Sequence, residues 1–146
     1  IADFIADLVF KDQLDIRCIA FDPYNSKIFL DHLMKMRGVP STMLREIPIT
    51  VRTMSPATKD LESLILNNNL YHENNPVTNW QFSHCEVYAD RLDNYMTCKP
   101  NTQGRKGGAG SDDPRKIDGV IALVNACAGS VDKDLGFRTI GSFSST

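Results

Sequence analysis

Ile16-Arg17-Cys18-Ile19-Ala20-Phe21-Asp22-Pro23 is the stretch on which the architecture turns. Ile16, Cys18, Ile19, Ala20 and Phe21 form a short apolar run rich in strand formers, closed by the turn signal Asp22-Pro23. A strand covered on both faces reads as a near-continuous apolar run, so this one suits a buried parallel strand followed by a helix. Pro23 fits the first helical position, Ile28, Phe29, Leu33 and Met36 recur at helical intervals, and Gly38 supplies a stop after about 14 residues. Ile47, Ile49 and Val51 then alternate as a second strand, which Pro48 confines to an edge because proline cannot donate to a ladder. Strand, helix and strand at this spacing make a βαβ unit with a right-handed crossover. The class is α/β.

Working outward, Ile1, Phe4, Ile5, Leu8 and Val9 predict an amphipathic helix over residues 1–12, with Asp3, Asp7, Lys11 and Asp12 off its apolar face. Ser55-Pro56 is a cap followed by a first-turn proline, and Ala57, Leu61, Leu64 and Ile65 form the stripe of a third helix that frays at Asn67-Asn68-Asn69. Asn74-Asn75-Pro76 reads as a turn. From Trp80 to Tyr95 the pattern turns to strands: Cys85, Val87 and Ala89 alternate against Glu86, Tyr88 and Asp90, as one arm of a hairpin through Leu92-Asp93-Asn94. Asp113-Pro114 starts the last helix, with Ile117, Val120, Ile121, Val124 and Cys127 as its buried stripe and Gly129 closing it. The expected organisation is one domain over residues 1–130 and a flexible Ser- and Gly-rich tail over 131–146.

Composition narrows the function. The 146 residues are 42% hydrophobic and 23% charged, which fits a single folded domain and excludes disordered and low-complexity classes. Sixteen Lys and Arg against 18 Asp and Glu leave a net charge of −2, so any nucleic-acid contact must come from a local patch. One such patch is visible: between positions 99 and 116, Lys99, Arg105, Lys106, Arg115 and Lys116 outnumber Asp112 and Asp113, in a stretch with four glycines that reads as a mobile basic loop of charge +3. No apolar run approaches the roughly 20 residues a bilayer-crossing helix needs. Ile1-Ala2-Asp3-Phe4 carries neither an initiator Met nor a signal-type region and reads as a cut or processed end. The four cysteines show no CxxC and no regular spacing, which points to a reducing, intracellular compartment.

Two carboxylates stand out by position. Asp22 ends the central-looking strand, and in open α/β sheets ligands gather beyond the carboxyl ends of strands. The competing account is an ordinary helix cap, since Asp directly before Pro is a common N-cap. Asp118 lies about one turn into the last helix, beside its buried stripe, where a carboxylate at the rim of a core wants a cation. The competing account there is an acid favoured by the helix dipole. His32, His72 and His84 lack the spacing of a zinc site. Gly104 to Gly110 lacks the Lys-Ser/Thr ending of a phosphate loop, and Ser55 and Ser83 have no partners of a nucleophilic triad. Trp80, Phe82 and Tyr88 could stack on bases, but packing beneath the hairpin accounts for them better.

With those residues in view, the sequence resembles a specific family. Phe21-Asp22-Pro23-Tyr24-Asn25 resembles the DPWNA-type segment of phage terminase large subunits, and Asp113 to Val124 resembles their KIDGvvAl segment. Between them, His72, Asn75-Pro76-Val77 and Trp80 match the family's H-x-x-N-P-V-x-x-W block in order and spacing. The resemblance spans about Ile16 to Ala128 and implies the C-terminal nuclease domain, an RNase H-like fold that cuts viral double-stranded DNA during packaging in the cytoplasm of the bacterial host. It implies Mg²⁺ or Mn²⁺, with Asp22 and Asp118 as two of the carboxylates that hold metal and carry catalysis. Lys99, Arg105, Lys106, Arg115 and Lys116 would hold phosphates, a contact that ignores base sequence and weakens with salt.

The sequence also departs from the family pattern. RNase H-like sites take a further carboxylate from the first strand of the fold, and no residue here matches it: Asp3, Asp7 and Asp12 lie on or beside a helix, and Asp15 precedes the strand. His84 stands where the family usually has Asn, Thr53-Met54 replace a usual Gln-Gly, and no ATPase motif occurs. The reading is therefore an RNase H-like α/β domain lacking its first strands, weak or inactive alone. Its alternative is a non-catalytic prophage remnant serving as a protein- or DNA-interaction module. Loss of those strands would leave the strand around Ile19 with an open apolar edge, to be covered by a second copy in a homodimer or by the missing N-terminal segment.

Overall fold

The computed structural model describes residues 1–72, 74–100 and 115–130. The apolar run forms β1 (Ile19–Phe21), which pairs in parallel with β2 (Leu44–Glu46) in the register Ile19↔Leu44, Ala20↔Arg45 and Phe21↔Glu46. The ladder continues by one bond, with the Ile47 N–H donating to the Phe21 carbonyl at 2.8 Å. The βαβ unit is thus present, but its second strand lies earlier than the expected Ile47 to Val51. Pro48 sits just beyond the ladder, where its missing N–H leaves no bond unmade.

The connecting helix also starts later than Pro23. Asn25 adopts a left-handed φ of 57°, which Asn tolerates, and α2 (Lys27–Asp31) begins only after that turn. It runs on into a wider π turn over His32–Met36, with the Arg37 N–H bonded to the His32 carbonyl at 3.2 Å. Widening turns Met36 away from the face on which Leu33 is fully buried, and Ile28, ahead of the π turn, also faces solvent. Gly38 ends the element with φ 73°, as its conformational freedom allows. α1 (Ala2–Phe10) packs on this segment through Ala6, with Ala2 and Ile5 beside it against Leu33 and Val39. Ile1 and Phe4, expected on the buried face, are exposed, because small Ala6 lets the helix approach closely on its other side.

α3 (Val51–Leu66) opens at Thr50 and not at Ser55-Pro56. The Thr50 hydroxyl accepts from the Thr53 N–H at 3.2 Å, while Ser55 is buried and its hydroxyl accepts the Tyr95 N–H at 3.1 Å. Asn75-Pro76 likewise begins a helix, α4 (Pro76–Ser83), with the Asn75 side chain accepting from the Val77 and Thr78 N–H groups. The expected strand from Trp80 therefore starts only at Glu86. β3 (Glu86–Ala89) and β4 (Tyr95–Cys98) form the expected antiparallel hairpin in the register Glu86↔Cys98 to Ala89↔Tyr95.

α5 (Asp118–Ser130) completes the described elements and begins at Asp118 itself. Asp113 and Pro114, expected to start it, lie outside the described residues, as do Arg105, Lys106 and the expected tail over 131–146. Val120 and Val124 of α5 are buried, and Val124 joins Ile47, Met54, Ala57 and Leu61 in the larger core cluster, on which Ala20, Phe82, Met96 and Leu123 also pack. All four cysteines are free thiols. Among the described residues no helix is long and apolar enough to cross a membrane.

Candidate metal centre

Asp22 follows directly on β1. Its Oδ1 accepts the Tyr24 N–H at 3.3 Å, an Asx turn that bends the chain away from the sheet. The helix-cap account does not hold for it, because α2 is preceded by Ser26. Its carboxylate is half-buried, and its second oxygen has no protein partner among the described residues. Asp118 is the first residue of α5, so the expectation that it lies a turn into the helix is corrected. It is exposed and has no hydrogen-bond or ion-pair partner among the described residues. In the first turn it stands where unpaired helix N–H groups favour negative charge.

The relation between the two acids follows from how α5 lies on the strands. Gly129 touches β1 so closely that an added Cβ would stand 3.1 Å from the Ala20 Cβ and 3.3 Å from the Cys18 Sγ. Arg45, level with Ala20 in the ladder, donates to the Gly129 carbonyl at 3.2 Å. Ile47, level with the end of β1, shares its cluster with Val124, five residues nearer the start of the helix. The C-terminal end of α5 is thus seated on β1 and tied to β2. Asp22 lies two residues beyond Ala20, and Asp118 lies about 16 Å along the helix axis before Gly129. The two are not joined in a larger donor set: among the described residues no group of three or more His, Cys, Asp or Glu stands where it could hold a metal.

The remaining candidates divide. Lys116 is exposed beside Asp118, Arg115 and Lys99 are half-buried, and Arg105 and Lys106 fall outside the described residues. Trp80 and Phe82 sit in α4; the Trp80 ring lies against His84 with centroids 4.8 Å apart, while Phe82 packs on the core together with Met96 and lines a groove with Val87 and Thr97 of the hairpin. His32 pairs with Asp3 at 3.1 Å, which holds the Asp3 carboxyl below its usual range. An apolar groove between α3 and β3 contains Cys85, whose burial pushes its thiol up to about 11, so it is no nucleophile at neutral pH.

Sequence reasoning missed Gln81. Its side-chain carbonyl accepts the Gly119 N–H at 2.6 Å, tying α4 to the start of α5 across 38 positions, a contact that no local pattern announces.

This arrangement of strands and helices is found in a solved structure, the crystal structure of the HK97 bacteriophage large terminase, with a TM-score of 0.67 at 22% identity over 88% of this chain and 24% of that one. The fold is therefore the RNase H-like α/β fold of terminase nuclease domains. The family model for the terminase large subunit endonuclease domain matches residues 1–133, and the chain belongs to that family. It spans 24% of the length of the terminase chain it matches. No curated protein matches it.

Proposed function

We propose that this domain is a divalent-metal-dependent DNA endonuclease of the viral packaging machinery, acting in the host cytoplasm, with Asp22 and Asp118 as its metal-ligating acids. The observation that supports this most directly is that one carboxylate directly follows β1 and the other opens α5, each with oxygens that no described residue takes. Open carboxylate oxygens suit a hard cation such as Mg²⁺ or Mn²⁺, which keeps several waters and completes its shell with substrate phosphates. The donor chemistry fits a loosely held ion.

When bound, the ion supplies Lewis-acid activation at the scissile phosphodiester. Asp22, fixed by its Asx turn, and Asp118, fixed by the first turn of α5, orient it. Unpaired amides at the start of α5 favour negative charge nearby, and Lys99, Arg105, Lys106, Arg115 and Lys116 hold the double-stranded backbone without reading its sequence. Two acids hold an ion less firmly than three, so this chain by itself cleaves slowly. The open side of β1 is covered by another strand, from a second copy or from a segment N-terminal to Ile1.

Nicking of supercoiled plasmid in Mn²⁺ tests the reading: slow nicking is expected, lost on chelation and lost in both Asp22→Asn and Asp118→Asn. Robust cleavage untouched by Asp118→Asn would remove that residue from the mechanism. A second reading, a non-catalytic module that binds protein or DNA, is favoured by the lack of a three-donor cluster among the described residues. A ligand that binds only the folded state raises its apparent stability, so a thermal melt unmoved by Mn²⁺ would select this second reading.

A further inference from the structure

We propose that Gln81 is a positioning residue for Asp118, supplying from α4 the N-terminal cap that α5 lacks in its own sequence. The inference rests on the reading of Asp118 as a metal-ligating acid and adds the group that fixes it. The first four N–H groups of a helix have no partner within it, and a Ser, Thr, Asp or Asn just before the helix normally accepts from the second or third. In α5 that place belongs to Ile117, whose carbonyl accepts the Ile121 N–H at 3.0 Å. Its side chain is hydrocarbon and is spent on the core at 3% exposure. The cap position is thus given over to packing.

Gln81 makes up the loss. Its Oε1 accepts from Gly119, the second residue of α5, at 2.6 Å, and only the oxygen end of the amide can serve an N–H donor. Among the described residues no other side chain accepts from the first-turn amides of this helix. Gly119 is part of the arrangement: a Cβ there would stand 2.6 Å from the same oxygen and drive it away. Gln81 is itself held in place, since its neighbour Phe82 packs on the core and Asn75 caps α4. The bonded amide adjoins Asp118, so the bond fixes the backbone that carries the carboxylate. A group that orients a metal ligand without touching the metal typically changes affinity by about ten- to a hundred-fold when removed.

The test uses the 146-residue chain, with Gln81→Met removing the acceptor at similar length and Gln81→Glu keeping it. Hydrogen exchange at the Gly119 amide reads the bond, exchange at Val124 reads the helix as a whole, and calorimetric titration with Mn²⁺ reads the site. In Gln81→Met the Gly119 amide is expected to exchange about tenfold faster with Val124 unchanged, and the Mn²⁺ Kd to rise about tenfold or more. Gln81→Glu restores both, and Gly119→Ala, which displaces the oxygen by contact, repeats the Gln81→Met result. An unchanged Kd in Gln81→Met, with or without faster exchange, overturns the positioning role. Asp118→Asn separates the two levels: if it leaves the Kd unchanged, the metal reading of Asp118 fails on its own, while the Gly119 exchange still reports the cap.

Discussion

Asp90 shows how much local order one carboxylate supports. It accepts from the Leu92 N–H at 2.8 Å, from the Asn94 N–H at 3.0 Å and from the Asn94 Nδ2 at 3.0 Å, closing the turn between β3 and β4. The Asn94 side-chain bond first, then the backbone donors, hold its carboxyl below the ordinary value of 3.8. A depressed folded-state value means that the charged form contributes stability fully above the unfolded value and loses it as pH falls through the folded one. On acidification below about pH 4, exchange at the Leu92 and Asn94 amides is expected to rise together, and Asp90→Asn is expected to show raised exchange already at neutral pH. If those amides behave identically in the two proteins down to pH 2.5, the turn does not depend on this charge. At this scale the sequence is legible where a residue type has one use. Asp22 could be picked out because an acid ending a buried run has few roles, whereas Asp90 looked like an ordinary polar position of an alternating strand. Gln81 was invisible because amides occur everywhere on surfaces and its partner lies on another helix.

Elements were legible in kind more often than in extent. The run ending at Phe21, the hairpin and the helix through Val124 all carry apolar periodicity that packing alone must satisfy, so existence and type were fixed by burial. Boundaries depend on which of two plausible caps wins, a choice made by contacts far along the chain. Thr50 caps α3 in place of Ser55 because β4 needs the Ser55 hydroxyl for its Tyr95 amide, which leaves Pro56 inside the helix. A first-turn proline and an interior one look the same in sequence, as do an Asn-Pro turn and the Asn75 cap of α4. The contact of Gly129 in α5 with Ala20 of β1 and with Cys18 just before it follows the same logic: the glycine reads as a helix stop but serves as a seat for the strand. Gly129→Val would gain at most a few tenths of a kcal/mol in helix propensity against about 1–3 kcal/mol for overpacking a rigid contact. Destabilisation is therefore expected, read as a lowered denaturation midpoint in urea; an unchanged or higher midpoint would mean that α5 and β1 can separate freely.

For the molecule as a whole, the unanswered demand is on β1. In a parallel ladder successive residues turn their backbone groups to opposite sides, and the Phe21 carbonyl is taken by Ile47, so the groups of Ala20 face away from β2. Among the described residues no strand pairs there, and where α5 crosses the strand a groove of about 260 Å³ is lined by Ile16, Cys18 and Ala20 from one wall and Ala122, Ala126 and Gly129 from the other. Small side chains on α5 leave room beside the strand, and an open strand edge is a template for pairing with another chain. The net charge of −2 offers little repulsion to prevent it. In sedimentation the apparent mass of the 16.3 kDa chain is therefore expected to rise with concentration toward that of a dimer. Ala122→Lys, which sets a charge on the groove wall at an exposed position, is expected to return it to monomer without lowering its melting temperature. A strict monomer at the highest attainable concentration would mean that a second copy does not fill this edge, and association that survives Ala122→Lys would place the contact elsewhere on the surface.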